Sequence, residues 1–170
     1  VGLDMHIGSQ IATFEPYGAA LRRLLTLLAE VRADGARDIR YLDVGGGLGV
    51  TYHEEEPADV ERFAEGVIAA TRGLDVTLVL EPGRFLVAES GVLLTRVLYR
   101  KRSGGKEYVI TDAGMNDLVR PSHYDAYHAI TAVQPRGGSL TADVVGPVCE
   151  SGDFLALDRT TDDVRPGDLV

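Results

Sequence analysis

Five short stretches of this 170-residue chain combine residue types that could do chemistry. His6-Ile7-Gly8-Ser9-Gln10 joins an imidazole to a hydroxyl in a polar loop. Tyr41-Leu42-Asp43-Val44-Gly45-Gly46-Gly47-Leu48-Gly49-Val50 runs an apolar strand into a glycine series. Amides that can take positive φ in such a series form a concave nest for an anion, most often phosphate. The same series also suits a plain glycine-rich turn. Glu81-Pro82-Gly83-Arg84 sets a carboxylate and a guanidinium just past an apolar run. Arg120 and Tyr124 are four apart and share a face if that stretch is helical. Cys149 stands beside Glu150 within Gly146-Pro147-Val148-Cys149-Glu150-Ser151-Gly152-Asp153.

The elements that must position these residues alternate. A strand is expected at 2–7 and a helix at 17–33, where Ala20, Leu21, Leu24, Leu25, Leu28 and Val31 recur at helical spacing and Gly35 marks the stop. A strand follows at 39–44, then a helix at 58–71 with Pro57 suited to its first turn. The continuous apolar run 76–80 has the character of a parallel strand covered on both faces. This β-α-β-α-β order, with polar residues after each strand, is that of an α/β barrel; an open doubly wound sheet is the alternative. The texture changes near Gly91. Strands are expected at 92–99 and 108–111, joined as a hairpin through Ser103-Gly104-Gly105-Lys106, and strand-like runs follow at 129–133, 142–145 and 154–158. Two domains result, 1–91 of α/β type and 92–170 rich in β structure.

A hydrophobic content of 45% is ordinary for a chain that buries a core, and a net charge of -9 argues against a nucleic-acid partner. Apolar runs are too short to span a bilayer. A single cysteine excludes an intrachain disulfide and suits the cytosol. His53, His123 and His128 show no metal-ligand spacing, and no metal is expected. Val1 has no lead-in to its strand and Val170 ends within strand-like sequence, so a piece of a longer protein is expected.

In this order and spacing, the five stretches resemble the diaminopimelate decarboxylase family, fold-type III enzymes that use pyridoxal 5'-phosphate (PLP). The likeness covers nearly the whole chain, and Cys149-Glu150-Ser151-Gly152-Asp153 is its most specific part. The resemblance implies the C-terminal part of a PLP-binding (β/α)8 barrel followed by part of a β-rich domain. It places the lysine that carries PLP before Val1, and a family tyrosine after Val170. Lys101 and Lys106 flank a turn and take neither role.

By the same resemblance, His6 stacks on the cofactor ring, Ser9 donates to its phosphate, and Gly45, Gly46 and Gly47 form the phosphate nest. Glu81, within the cofactor-binding run Glu81-Pro82-Gly83-Arg84, pairs with the ring nitrogen, where negative charge favours the protonated, electron-withdrawing form. Arg84, Arg120 and Tyr124 bind the far carboxylate of the substrate, which a guanidinium matches with paired hydrogen bonds. A surface pair of Arg120 with Asp117 or Asp125 is the plainer alternative. Cys149 returns a proton to Cα after CO2 leaves, and Glu150 holds the distal ammonium. His6, Glu81 and Cys149 are thus the implied catalytic set. The family shares active sites between the subunits of a homodimer. The implied reaction converts meso-diaminopimelate to L-lysine and CO2, the last step of lysine biosynthesis, for a parent of which this chain is a piece inactive by itself. A decarboxylase of carboxynorspermidine, ornithine or arginine, and a non-catalytic PLP-binding regulator, are the alternatives.

Overall fold

Tyr17, Leu21, Leu24 and Leu28 recur at helical spacing, and burying this stripe winds Phe14–Ala33 into helix α1 of the computed structural model, which describes residues 1–170. The helix begins three residues before the expected start, because Pro16 lies in its first turn, where a missing N–H costs nothing. It stops as expected: Gly35 takes φ 102, its amide donates to Arg32 and that of Ala36 donates to Val31.

Two compact units make up the chain, Val1–Gly91 and Val92–Val170. In the first, strands β1 (Gly2–Asp4), β2 (Tyr41–Gly46) and β3 (Thr77–Glu81) pair in parallel in that order. α1 and α2 (Val60–Thr71) are the crossovers that parallel neighbours require, and α3 (Gly83–Val87) follows β3. The α1 stripe packs on Leu42 and Val44 of β2 and on Val67 of α2, each fully buried aliphatic side chain contributing about 1.5–3 kcal/mol. Helix α2 starts at Val60 and leaves Pro57 outside, because the Asp59 carboxylate caps it by accepting from the Arg62 amide at 2.9 Å. β3 differs from its expected double cover: Leu80 is 47% exposed. It pairs only with β2, at the edge of the sheet in this chain.

In the second unit the sheet order is β4 (Val97–Ser103), β5 (Lys106–Thr111), β6 (Ser139–Val145), β7 (Phe154–Asp162). β4 and β5 form the expected hairpin, with Gly104 and Gly105 both at positive φ. β5 and β6 run parallel, so a long connection carrying α4 (Arg120–Tyr124) joins them. β6 and β7 are antiparallel across the loop that bears Cys149. Val97, Val109, Leu140, Ala142, Val144, Leu155 and Val164 form the core. The strand expected at 92–99 begins only at Val97. Residues 129–133 form no strand; their amides turn to other partners, Ala132 to the Asp162 carboxylate and Val133 to the Leu169 carbonyl. Lys106 is tied to Asp143 and Asp158, each at 3.0 Å, a structural use of the ammonium group.

Candidate functional site

The first unit gathers its polar residues where its parallel strands end. Register aligns Asp4 with Asp43 and Gly46 with Glu81. Carboxylate oxygens of Asp4, Asp43 and Glu81 lie within 4.8 Å of one another. Glu81 and Asp4 are exposed and Asp43 is half-buried. Three like charges at this distance repel, and a cationic ligand group between them relieves the repulsion. Sequence spacing did not reveal this cluster, since its members come from three strands; Asp43, a charge inside an apolar strand, was the available signal. An acidic cluster is not by itself a metal centre.

The glycine loop is shaped by close backbone approach. Gly45 and Gly47 take φ 73 and 93. A Cβ on Gly45 would meet the Met5 carbonyl, one on Gly46 the Glu81 carbonyl, and one on Gly47 the Gly8 carbonyl. Gly45 and Gly46 are buried, and the Gly45 amide donates to Asp43 Oδ1 at 2.9 Å. Gly47 keeps part of its surface. Below the loop, Tyr17 donates its hydroxyl to the Val44 carbonyl, and burial, then the Asp43 carboxylate, push its phenol up to about 12.

Gln10 joins this loop to the one after β1. Its Nε2 donates to the Val50 carbonyl at 2.9 Å and its Oε1 accepts from the Val50 amide at 3.0 Å. Ile11 and the glycine loop add two backbone bonds, Ile11 to Gly47 at 2.9 Å and Gly49 to Ile11 at 3.1 Å. The loop carrying exposed His6 and Ser9 is therefore fastened to the glycine loop. Gln10 adopts φ 59, a left-handed backbone, to reach its partner. Pro82 precedes α3, Gly83 opens it, and the half-buried Arg84 guanidinium lies 6.0 Å from the Tyr52 ring centroid.

In the second unit, Arg120 and Tyr124 do share a helical turn, that of α4. Arg120 is half-buried and its Nη1 lies 3.2 Å from His128 Nε2, while Tyr124 is 69% exposed. Asp125 ends the helix in a left-handed conformation, and Asp117 accepts from the Gly114 amide. The Cys149 loop lies near α4: a Cβ on Gly152 would stand 3.7 Å from Ser122. Cys149 and Glu150 are both exposed. Asp153, which the sequence reading left without a role, organises the loop from inside. It is 4% exposed, and its carboxylate accepts from the Met115 amide at 2.7 Å and the Val148 amide at 2.5 Å.

The sequence and the fold are shared with known proteins. Residues 19–170 match the family model described as pyridoxal-dependent decarboxylase, C-terminal sheet domain. The chain is 45% identical over its whole length to diaminopimelate decarboxylase of Helicobacter pylori strain J99 and covers 42% of that protein. It is 49% identical to the enzyme of the same name from Pseudomonas aeruginosa, covering 100% of this chain and 41% of that protein. The crystal structure of diaminopimelate decarboxylase from Helicobacter pylori complexed with L-lysine superposes with a TM-score of 0.90 at 46% identity, over 99% of this chain and 42% of the other. The chain thus spans about two-fifths of the length of these relatives. With its α/β unit leading into a four-stranded sheet unit, it belongs to the pyridoxal-dependent decarboxylases.

Proposed function

We propose that the protein carrying this chain decarboxylates meso-diaminopimelate to L-lysine and CO2, the last step of lysine biosynthesis. What carries this reading is the similarity across every part of the chain to proteins of that name, at 45–49% identity. On this reading residues 1–91 are the end of a barrel that binds PLP, and 92–170 supply the substrate and proton-donor groups.

The residues present fit the cofactor. The converging carboxylates of Asp4, Asp43 and Glu81 suit a protonated ring nitrogen, and the exposed His6 and Ser9, held beside the loop of Gly45, Gly46 and Gly47, suit the ring face and the phosphate. Pro82, Gly83 and Arg84 complete the cofactor side. When bound, PLP supplies an electron-withdrawing ring that accepts the electron pair left by the departing CO2.

The chain's own residues do the rest. Arg120 and Tyr124, on one turn of α4, bind the substrate's far carboxylate; Glu150 binds its distal ammonium. The Cys149 thiol holds the proton that is delivered to Cα once CO2 has gone. The protein works as a cytoplasmic homodimer that shares its sites between subunits. No helix of the chain is long and apolar enough to cross a membrane.

The test is product balance. With PLP, the intact protein should release CO2 and L-lysine from meso-diaminopimelate in equal amounts. CO2 without lysine, or neither product, would refute the assignment.

A further inference from the structure

An arginine donates hydrogen bonds and cannot accept them. With Arg120 Nη1 at 3.2 Å, His128 must therefore accept at Nε2, carry its hydrogen on Nδ1 and be neutral. We propose that His128 is a positioning residue for Arg120: a neutral imidazole, fastened to β7, that fixes the guanidinium plane for recognition of a ligand carboxylate. The proposal rests on the reading of Arg120 given above and adds to it the residue that orients the guanidinium.

The fastening is specific. After α4 the left-handed turn at Asp125 folds the chain back, and the Ala126 amide donates to the Arg120 carbonyl at 3.3 Å. The next residues are laid along β7 by its side chains. Arg159 Nη1 donates to the His128 carbonyl at 2.7 Å, and its guanidinium lies 4.0 Å over the Tyr127 ring. Thr161 donates to the Ile130 carbonyl at 3.2 Å, and the Asp162 carboxylate accepts from the Ala132 amide at 2.7 Å. The imidazole thus stands on a backbone held at three points. A guanidinium bonded to it loses rotational freedom before any ligand arrives, which lowers the ordering cost of binding.

The arrangement is sensitive to pH. The charged groups facing the ring are Arg120 from α4 and Arg159 from β7, with the Tyr127 phenol adjacent in sequence. Burial first, then these two guanidinium charges, hold the imidazole below its ordinary value of 6.5. Protonation would place a hydrogen on Nε2 and a positive charge beside two others, breaking the bond. Because the folded value is depressed, the bond's contribution is complete above the unfolded value and is lost as pH falls through the folded one.

The test uses the intact protein with PLP and two variants. His128→Leu removes the acceptor and should raise KM for meso-diaminopimelate about tenfold while kcat changes little. His128→Gln offers an amide oxygen at any pH. It should keep the wild-type KM at neutral pH and also hold it as pH falls through the depressed value of the His128 imidazole, where the wild type weakens. An unchanged KM in His128→Leu, or a His128→Gln as weak as His128→Leu, would overturn the proposal. A second readout needs no substrate: Arg120→Gln should raise the pKa of the His128 imidazole followed by NMR. If the wild type does not act on meso-diaminopimelate, the functional reading fails, and this titration alone decides the pair: a rise sustains it and no shift overturns it.

Discussion

The Cys149 thiol is exposed, while the loop that carries it is held from within by the buried Asp153 carboxylate. The two residues should therefore fail in different ways. Cys149→Ala in the intact protein should lower turnover by about a hundredfold to ten-thousandfold, the usual worth of a positioned acid, with substrate affinity nearly unchanged. Steady-state kinetics checks this, and normal turnover would remove Cys149 from the mechanism. Asp153→Ala should instead leave the Met115 and Val148 amides without their acceptor and destabilise the fold by about 2–4 kcal/mol. Asp153→Asn keeps one acceptor oxygen and should lose less. Denaturant unfolding separates them, and an Asp153→Ala as stable as wild type would contradict the role. Arg120, Cys149 and Glu150 stood out in the sequence as candidates because their types and order are distinctive. The contacts of Asp153, Gln10 and His128 were not legible, because their partners are backbone amides, carbonyls or a guanidinium that only the folded chain brings near.

At the scale of elements, α1 and α2 were legible because burying one side of a helix imposes a period on the sequence. Their starts were not: Asp59 sets that of α2 by capping it, and α1 reaches back past Pro16, which its first turn tolerates. Residues 129–133 have strand-like composition, yet their amides find a carboxylate and a distant carbonyl in place of a ladder. Composition reports what a segment could bury and is silent on where its amides pair. The glycine loop read from sequence as an anion nest carries a second, structural demand. Gly46→Ala should lower stability by about 3 kcal/mol or more, because its Cβ would meet the Glu81 carbonyl and force β2 and β3 apart. Gly73→Ala is the control: it has open space around it and only a left-handed backbone (φ 79) to pay for, about 1–2 kcal/mol. Thermal unfolding compares the two, and equal losses would show that close strand approach is not what Gly46 serves.

For the whole molecule, the β-α-β-α-β order followed by a sheet unit was visible in the sequence as a change of period and texture near Gly91. The parallel pairing of β5 with β6 was not visible, because it depends on the long connection through α4. The functional account turns on recognition of a second carboxylate by Arg120 and Tyr124. A site built to pair a polar group rejects an analogue lacking it by roughly ten-thousandfold or more. The most direct measurement is therefore kcat/KM of the intact, PLP-loaded protein for meso-diaminopimelate against ornithine, arginine and lysine, which have no second carboxylate. The account predicts a preference for meso-diaminopimelate of about that size. Comparable values, or a preference for ornithine, would contradict it.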